Sequence, residues 1–265
     1  MIPRKRVSIV TISFNQHRFL QECILSVLEQ DVEGLEYIVV DPGSTDGSRE
    51  IIKQYRAAID AVILEPDQGP ADGLNKGFAR AVADIIGYVN SDDRLTPGAL
   101  SYVLEYFAEH EDVDVLCSAI RIIDEDGRAE VRKRSPDLFD LRDYASGICT
   151  VGQQATFMRR AVFEKVGGFN VANRICWDGE LLVDMALAGA RFATTNRVLG
   201  DFRIYPDSMT GSGMFRSPKY FAERDRIVAK IRASGREVDS AFQRIVRRTL
   251  YKSNVVRHLR YVLAR

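Results

Sequence analysis

Short runs of Val and Ile, each followed by a segment with helical spacing, constrain this chain more than any other feature. Val7–Phe14, Tyr37–Asp41, Ala61–Glu65, Ile85–Asn90 and Val113–Ile122 read as strands. Between the first two, Phe19, Leu20, Cys23, Ile24, Val27 and Leu28 fall on one helix face. Ile51, Ile52 and Tyr55 repeat the pattern after the second strand, and Leu74, Phe78 and Val82 after the third. Strand–helix–strand alternation predicts βαβ units, and therefore an α/β fold on a mixed, mostly parallel, Rossmann-like sheet flanked by helices.

Ligands bind such sheets beyond the carboxyl ends of the strands. Here those ends are Ser13-Phe14-Asn15, the stretch Asp41 to Gly47, the stretch Glu65 to Gly69, and Asn90-Ser91-Asp92-Asp93. One polar strand end is usually a turn. Four in succession predict one rim of the sheet to be a polar, acidic cleft. No GxxxxGK[ST] loop accompanies it, so a diphosphate would meet carboxylates and be repelled. A Mn²⁺ or Mg²⁺ ion bridging carboxylate and phosphates removes that conflict. The other reading of Asn90–Asp93 is a cap for a helix over Pro97–Phe107. Thr96, just before Pro97, already supplies that N-cap, which frees Asp92 for metal.

Composition narrows the class. The 265 residues carry 37 Lys+Arg and 37 Asp+Glu, ordinary for a folded protein and unlike a disordered one. The balance conceals a split, because Arg216–Arg265 holds 14 basic and 4 acidic residues, or +10, leaving −10 on the first 215. The four cysteines and three histidines are scattered, with no disulfide or zinc spacing. Basic residues open the chain, but Val7–Ile12 is too short for a signal-peptide core, and no run approaches a spanning helix. These features predict a cytoplasmic protein.

Taken together, VSIVTISFN (7–15), VDPGSTDGS (40–48), EPDQG (65–69), NKG (75–77) and NSDD (90–93) resemble family 2 glycosyltransferases of the GT-A fold. GQQATF (152–157), VGGF (166–169) and WDGEL (177–181) extend the resemblance. It implies a nucleotide-diphosphate-sugar donor, UDP by default, with Mn²⁺ or Mg²⁺ and inversion at the anomeric carbon. It also implies a glycan or lipid-linked acceptor. Asn90, Ser91 and Asp92 occupy the family's DxD position with Asn in place of the first Asp. Asp92 is thus the expected metal ligand, and Asp93 a contact to second-shell groups or the acceptor. Thr11, Ser13 and Asn15 would lie beside the nucleoside, with Asp41, Gly43 and Ser44 forming its turn. Pro42 stands where a second Asp is frequent. Asp67 belongs to the same rim. Asp72, Asn75 and Lys76 share one helix face and are expected to reach the donor.

An inverting transfer needs a carboxylate to take the acceptor's proton. WDGE (177–180) offers Asp178 and Glu180 at the head of an apolar helix. On the wheel Leu181, Leu182, Met185 and Gly189 fall within about 60° of Asp178, while Glu180 and Asp184 point to the back. A carboxylate starting a buried stripe is costly unless used, and the family pattern also selects Asp178 as the base. Gln153, Gln154 and Trp177 are expected acceptor contacts. Arg203–Thr210 resembles a family loop that often reads Arg-x-His, with Tyr205 where that His would be, and Arg203 is expected to offset leaving-group charge.

The chain divides into a GT-A domain over 1–212 and a basic helical extension over 213–265. In the latter Val238, Phe242, Ile245, Thr249, Val256, Leu259 and Leu263 form an apolar stripe, with a break near Ser253. Its basic residues suit an anionic membrane surface, the chain's own acidic part or a partner subunit. No nucleic-acid motif accompanies them, and a homo-oligomer is left open. Two other functions compete. A sugar nucleotidyltransferase would carry a glycine-rich loop after the first strand, which Asn15–Arg18 lacks. A non-catalytic sugar-nucleotide-binding subunit would have no use for both Asp92 and Asp178.

Overall fold

A computed structural model describes residues 5–252. In chain order the elements are β1 (Val7–Ile12), α1 (His17–Leu28), β2 (Leu35–Val40), α2 (Ser48–Gln54), β3 (Ala61–Ile63), α3 (Pro70–Phe78), β4 (Ile85–Asn90), β5 (Arg94–Leu95) and α4 (Ala99–Glu109). There follow β6 (Val115–Ile123), β7 (Ala129–Arg134), α5 (Leu141–Ser146), β8 (Thr156–Arg159), α6 (Arg160–Lys165), α7 (Trp177–Leu187), β9 (Phe192–Arg203), α8 (Pro218–Ala233) and α9 (Ala241–Lys252). Among the described residues the strands form one sheet in the order β3-β2-β1-β4-β8-β6-β9-β5, with β7 paired to β6.

β1 to β4 run parallel to one another, with Ile12 in register with both Val40 and Asn90, and Val40 with Ile63. Four strands therefore end on one rim, as the alternation predicts. β8 runs antiparallel to β4 and β6, β7 to β6 and β5 to β9, while β9 is parallel to β6. These later strands escape a periodicity search because β5 is two residues long and β7 (AEVRKR) is mostly charged.

Strand alternation sends Val10, Ile38, Val40, Ile86 and Tyr88 to one face, where α3, α6, α7 and α8 cover them. Ile9, Tyr37, Val39 and Val89 face α1, α2 and α4. Two expectations change locally. Thr96 does not cap α4: its Oγ1 donates to the Val198 carbonyl at 2.8 Å, and the helix starts at Ala99 after left-handed Gly98. α3 stops at Phe78, so Val82 lies beyond it at 60% exposure.

The basic extension is not a separate layer where it is described. Ile227, Val228 and Ile231 of α8 are buried in the same core as Leu181, Val183 and Met185 of α7. Its cations meet the chain's own carboxylates. Arg226 and Lys230 pair with Glu180, Lys230 with Asp184, and Arg247 with Asp143 and Asp239. The break between its helices falls after Ala233, near Gly235, while Ser253, Val256, Leu259 and Leu263 lie outside the described residues.

Candidate active site

The rim is stitched together by its own polar groups. Asn15 has φ 52°, a left-handed conformation that Asn tolerates better than most residues. Its backbone amide donates to Ser44 Oγ at 2.8 Å, and its Oδ1 accepts from the Thr45 amide at 2.9 Å. Asp41 is fully buried, and its Oδ1 accepts from the amides of Gly43 and Ser44 and from Arg49 Nε. Asp41 Oδ2 and Ser13 Oγ are buried with no protein partner among the described residues. Buried unpaired polar atoms are rare in folded proteins, which marks this part of the rim as a candidate for ligand contact. Thr11 does not join them. It is fully buried, its Oγ1 accepting from Tyr37 at 3.0 Å beside Cys23, because it shares the face of β1 that carries Ile9 and is covered by α1, α2 and α4.

The polar face of α3 is largely consumed internally. Asn75 bonds the amide and the carbonyl of Phe169 at 2.9 and 2.8 Å, fixing the loop before α7. Lys76 Nζ donates to the Pro66 carbonyl at 2.6 Å and pairs with Asp72, which accepts from the Gln68 amide. These three therefore brace the rim. Asp67 is half-buried and accepts from the Gly69 amide at 2.8 Å, and burial together with the Asp72 charge pushes its pKa up.

At the end of β4 the carboxylates lie deepest. Ser91 is buried, its amide on the Ile12 carbonyl. Burial raises the pKa of Asp92, and burial plus the Asp92 charge raises that of Asp93 well above the carboxylate range. Asp93 accepts from the Arg203 amide at 2.9 Å and from Gln153 Nε2 at 3.4 Å, so it is held inside the wall. The Arg203 guanidinium is likewise spoken for. It donates to the carbonyls of Asp92, Asp124 and Glu125 and to Glu22, so it braces the Asp92 loop while Arg203 also contributes to the chamber wall. Tyr205 reaches Asp92 instead, its OH donating to Oδ2 at 3.3 Å while also contacting the Gln16 amide. Burial and the Asp92 charge push the Tyr205 pKa up to about 12, so the hydroxyl stays a donor. Asn90 Oδ1 is buried without a protein partner among the described residues.

A cavity of about 270 Å³ connects these groups to α7. Its walls include Asn90, Asp92, Asp93, Gln153, Trp177 and Asp178. Gln153 Oε1 and Trp177 Nε1 are further buried atoms without a protein partner. Gln154, also buried, lines the same cavity. Asp178 also lines a second cavity of about 240 Å³, walled by Phe139, Tyr144, Phe215, Tyr220 and Arg224. It thus stands between an acidic chamber and an aromatic one. Burial raises its pKa, against the Gly179 amide, which donates to it at 2.7 Å, and its own backbone amide. The start of α7 does not depend on Asp178 alone, because Asn173 and Glu223 take the amides of Ile175 and Cys176.

Glu180 departs from expectation. It is fully buried under α8, bonded to Arg226, Lys230, Asn170 and Asn173. Burial alone would raise its pKa, but these partners outweigh it and hold the carboxyl far below its usual range. A wheel with one buried side misses this because α8 covers the back of α7. Gly189 lies past the end of α7 with φ 86°. The sequence pattern also passes over Arg134 of β7, whose side chain lines the acidic chamber.

A mixed sheet whose parallel strands end in an acidic chamber is the arrangement of GT-A glycosyltransferases, and similar solved structures show the same fold. Staphylococcus aureus TarS 1–349, in complex with UDP-GlcNAc, has a TM-score of 0.69 at 21% identity over 84% of this chain and 65% of that one. The mannosyltransferase PcManGT of Pyrobaculum calidifontis, in complex with GDP-Man and Mn²⁺, has a TM-score of 0.65 at 21% identity, with the same 84% and 65% coverage. In sequence the chain is 31% identical over 213 residues to an uncharacterized glycosyltransferase of Nostoc sp., covering 76% of this chain and 65% of that relative. It is 31% identical over 216 residues to one of Mycobacterium tuberculosis, covering 80% and 78%. The chain therefore spans just under two thirds of the Nostoc relative and of both solved chains. The profile of glycosyl transferase family 2 matches residues 8–167. This chain belongs to that family.

Proposed function

We propose that the chain transfers a sugar, with inversion, from a nucleotide-diphosphate donor to an acceptor hydroxyl. The observation that carries this is the position of Asp178, in the wall shared by the acidic and aromatic chambers. The donor's diphosphate sugar occupies the acidic chamber, with its nucleoside toward Ser13, Asp41 and Ser44. The UDP-GlcNAc and GDP-Man bound to the structural neighbours support a nucleotide sugar, and UDP is the favoured base. Arg134 and Arg203 both line the chamber, and together they offset the charge of the departing diphosphate.

The donor set at the chamber fits Mn²⁺ or Mg²⁺. Asp92 and the unpartnered Asn90 oxygen are hard ligands, and such ions are usually completed by substrate phosphates. The described residues contain no group of three or more His, Cys, Asp or Glu able to hold a metal alone, which suits a site finished by substrate. When bound, the ion would offset the charge that develops on the departing diphosphate.

Asp178 accepts the proton of the acceptor hydroxyl as that oxygen bonds to the anomeric carbon and the bond to the diphosphate breaks. Attack from the side opposite the leaving group gives inversion. Its burial-raised pKa brings it closer to working pH, which suits a general base. Aromatic walls such as Tyr144 and Tyr220 suit the apolar face of a sugar, so the acceptor is a glycan or glycolipid held there, with Gln153 and Trp177 at the boundary. A relative named as a PGL/p-HBAD biosynthesis glycosyltransferase, 27% identical over 179 residues, supports a biosynthetic glycosyl transfer.

Asp178→Asn is the decisive variant. Nucleotide-sugar affinity by calorimetry should be unchanged while turnover falls by about 10²–10⁴. Full turnover with intact donor binding would remove Asp178 from the mechanism, and loss of donor binding itself would refute the two-chamber division.

A further inference from the structure

α9 is mounted inside out. Its polar side faces the protein: Arg247 pairs with Asp143 and Asp239 at 2.7 and 2.8 Å, and Arg248 Nε donates to the Ser146 carbonyl at 2.7 Å. Tyr251 OH donates to Asp137 at 2.7 Å on the same side. At 100° per residue these three centre about 180° from Phe242. Phe242, Ile245 and Val246 sit on the opposite side at 75%, 65% and 40% exposure. An amphipathic helix on a globular protein ordinarily buries its apolar stripe. Here ion pairs hold the helix and the stripe faces outward.

We infer that this outward ridge binds an anionic lipid surface. From Ser240 to Arg265 the sequence has 7 Lys+Arg and no Asp or Glu, and with Arg247 and Arg248 turned to the protein, Arg244, Lys252, Arg257, Arg260 and Arg265 are left to meet lipid charge. An apolar stripe on an acid-free, basic segment is the pattern of a helix lying in an anionic interface, where each Lys or Arg near the surface adds roughly 1 kcal/mol. Residues 253–265, immediately after α9, continue that composition with Val255, Val256, Leu259, Val262 and Leu263 among Arg257, Arg260 and Arg265. A second copy is the weaker occupant, because a two-fold contact would set this acid-free segment against itself, like charge on like. No helix among the described residues is long and apolar enough to cross a membrane, so the ridge lies on the bilayer and does not span it.

The ridge has a place relative to the chambers. α9 docks on α5, whose Tyr144 and Gly147 line the aromatic chamber, and the Arg248 guanidinium packs beside Gly147. A lipid surface against α9 flanks the chamber assigned above to the acceptor, and this consequence alone rests on that assignment. The binding itself does not.

The test is flotation of the full chain with vesicles of equimolar phosphatidylglycerol and phosphatidylcholine, and with phosphatidylcholine alone. Binding is expected to the first and to be weak on the second, and to decline as salt rises. Phe242→Ser with Ile245→Ser should lower the partition coefficient by roughly thirtyfold, and Phe242→Leu with Ile245→Leu should restore it. Nucleotide-sugar binding by calorimetry should be the same in all three proteins, which separates this inference from the donor reading and confirms folding. Equal flotation of the Ser variant would overturn the inference, as would absence of binding to the anionic vesicles. So would a solution dimer that the Ser variant dissolves, which would assign the ridge to a second copy.

Discussion

Glu180→Gln probes the bond between the helix that carries Asp178 and the helix that backs it. The carboxylate is fully buried and receives Arg226 Nη1 and Nη2 at 2.6 and 2.5 Å, Lys230 Nζ at 2.8 Å and Asn173 Nδ2 at 2.7 Å. Gln keeps the volume and one acceptor, but it removes the charge and turns an N–H toward groups that are themselves donors. Removing one member of a buried ion pair costs about 3–5 kcal/mol. Arg226 and Lys230 are 43% and 36% exposed, so water can reclaim part of that loss. The expected cost is therefore about 2–3 kcal/mol, or roughly 5–10 °C in Tm for a domain of this size. Urea unfolding at neutral pH measures it, with an unchanged m-value confirming the same unfolding transition. The pH dependence has a definite sign. The folded pKa of Glu180 is depressed, so its stabilisation is complete above the ordinary glutamate value of about 4.3 and declines as pH falls below it. Wild type and variant should accordingly converge as the medium is acidified from about pH 5 to pH 3. A variant within about 0.5 kcal/mol of wild type at neutral pH would refute the clamp, and so would a gap that acid leaves unchanged.

Burial raises the pKa of Asp178, so kcat/KM should rise with pH through an inflection above about 4, the ordinary aspartate range, and a limb at or below that range would contradict the buried base. Tyr205→Phe removes the hydroxyl that donates to Asp92, and should weaken nucleotide-sugar binding in the presence of Mn²⁺ by roughly fivefold, as read by calorimetry. At Gly77 an added Cβ would lie 2.4 Å from Val10 Cγ1, so Gly77→Ala should cost about 1–3 kcal/mol in urea unfolding. Lys76→Ala should leave donor affinity within about twofold, since Lys76 Nζ is occupied by Pro66 and Asp72.

The donor half was legible because parallel strands align their ends. Once four strands are read, the register that sets Ile12 against Val40 and Asn90 follows, and Ser13, Asp41 and Asp92 fall on one rim. The motif NKG was legible as a motif but not as mechanics. Asn75 ties down Phe169, Lys76 ties down Pro66, and Gly77 lets α3 close on β1. Helical spacing shows which residues share a face and says nothing of what that face meets. Glu180 illustrates the same limit: its partner α8 begins 38 residues later, and no local pattern announces that it will cover α7. The aromatic chamber was the least legible part, since Phe139, Tyr144, Phe215 and Tyr220 come from separate loops and helices and show no common period.

The position of β9 sets a timetable for folding. It is the parallel neighbour of β6 and the only strand paired to β5 among the described residues, with Arg94 meeting Asp201 across 107 positions of chain. A chain emerging from the ribosome therefore carries all of 8–167, the stretch matched by the family profile, before the sheet can close. Until residue 203 is free, both edges of β9's slot stay open, and contacts so distant in sequence form slowly. Such an interval favours rescue by a chaperone, and it makes a fragment ending near residue 167 a poor folding unit even though it contains every donor-side motif.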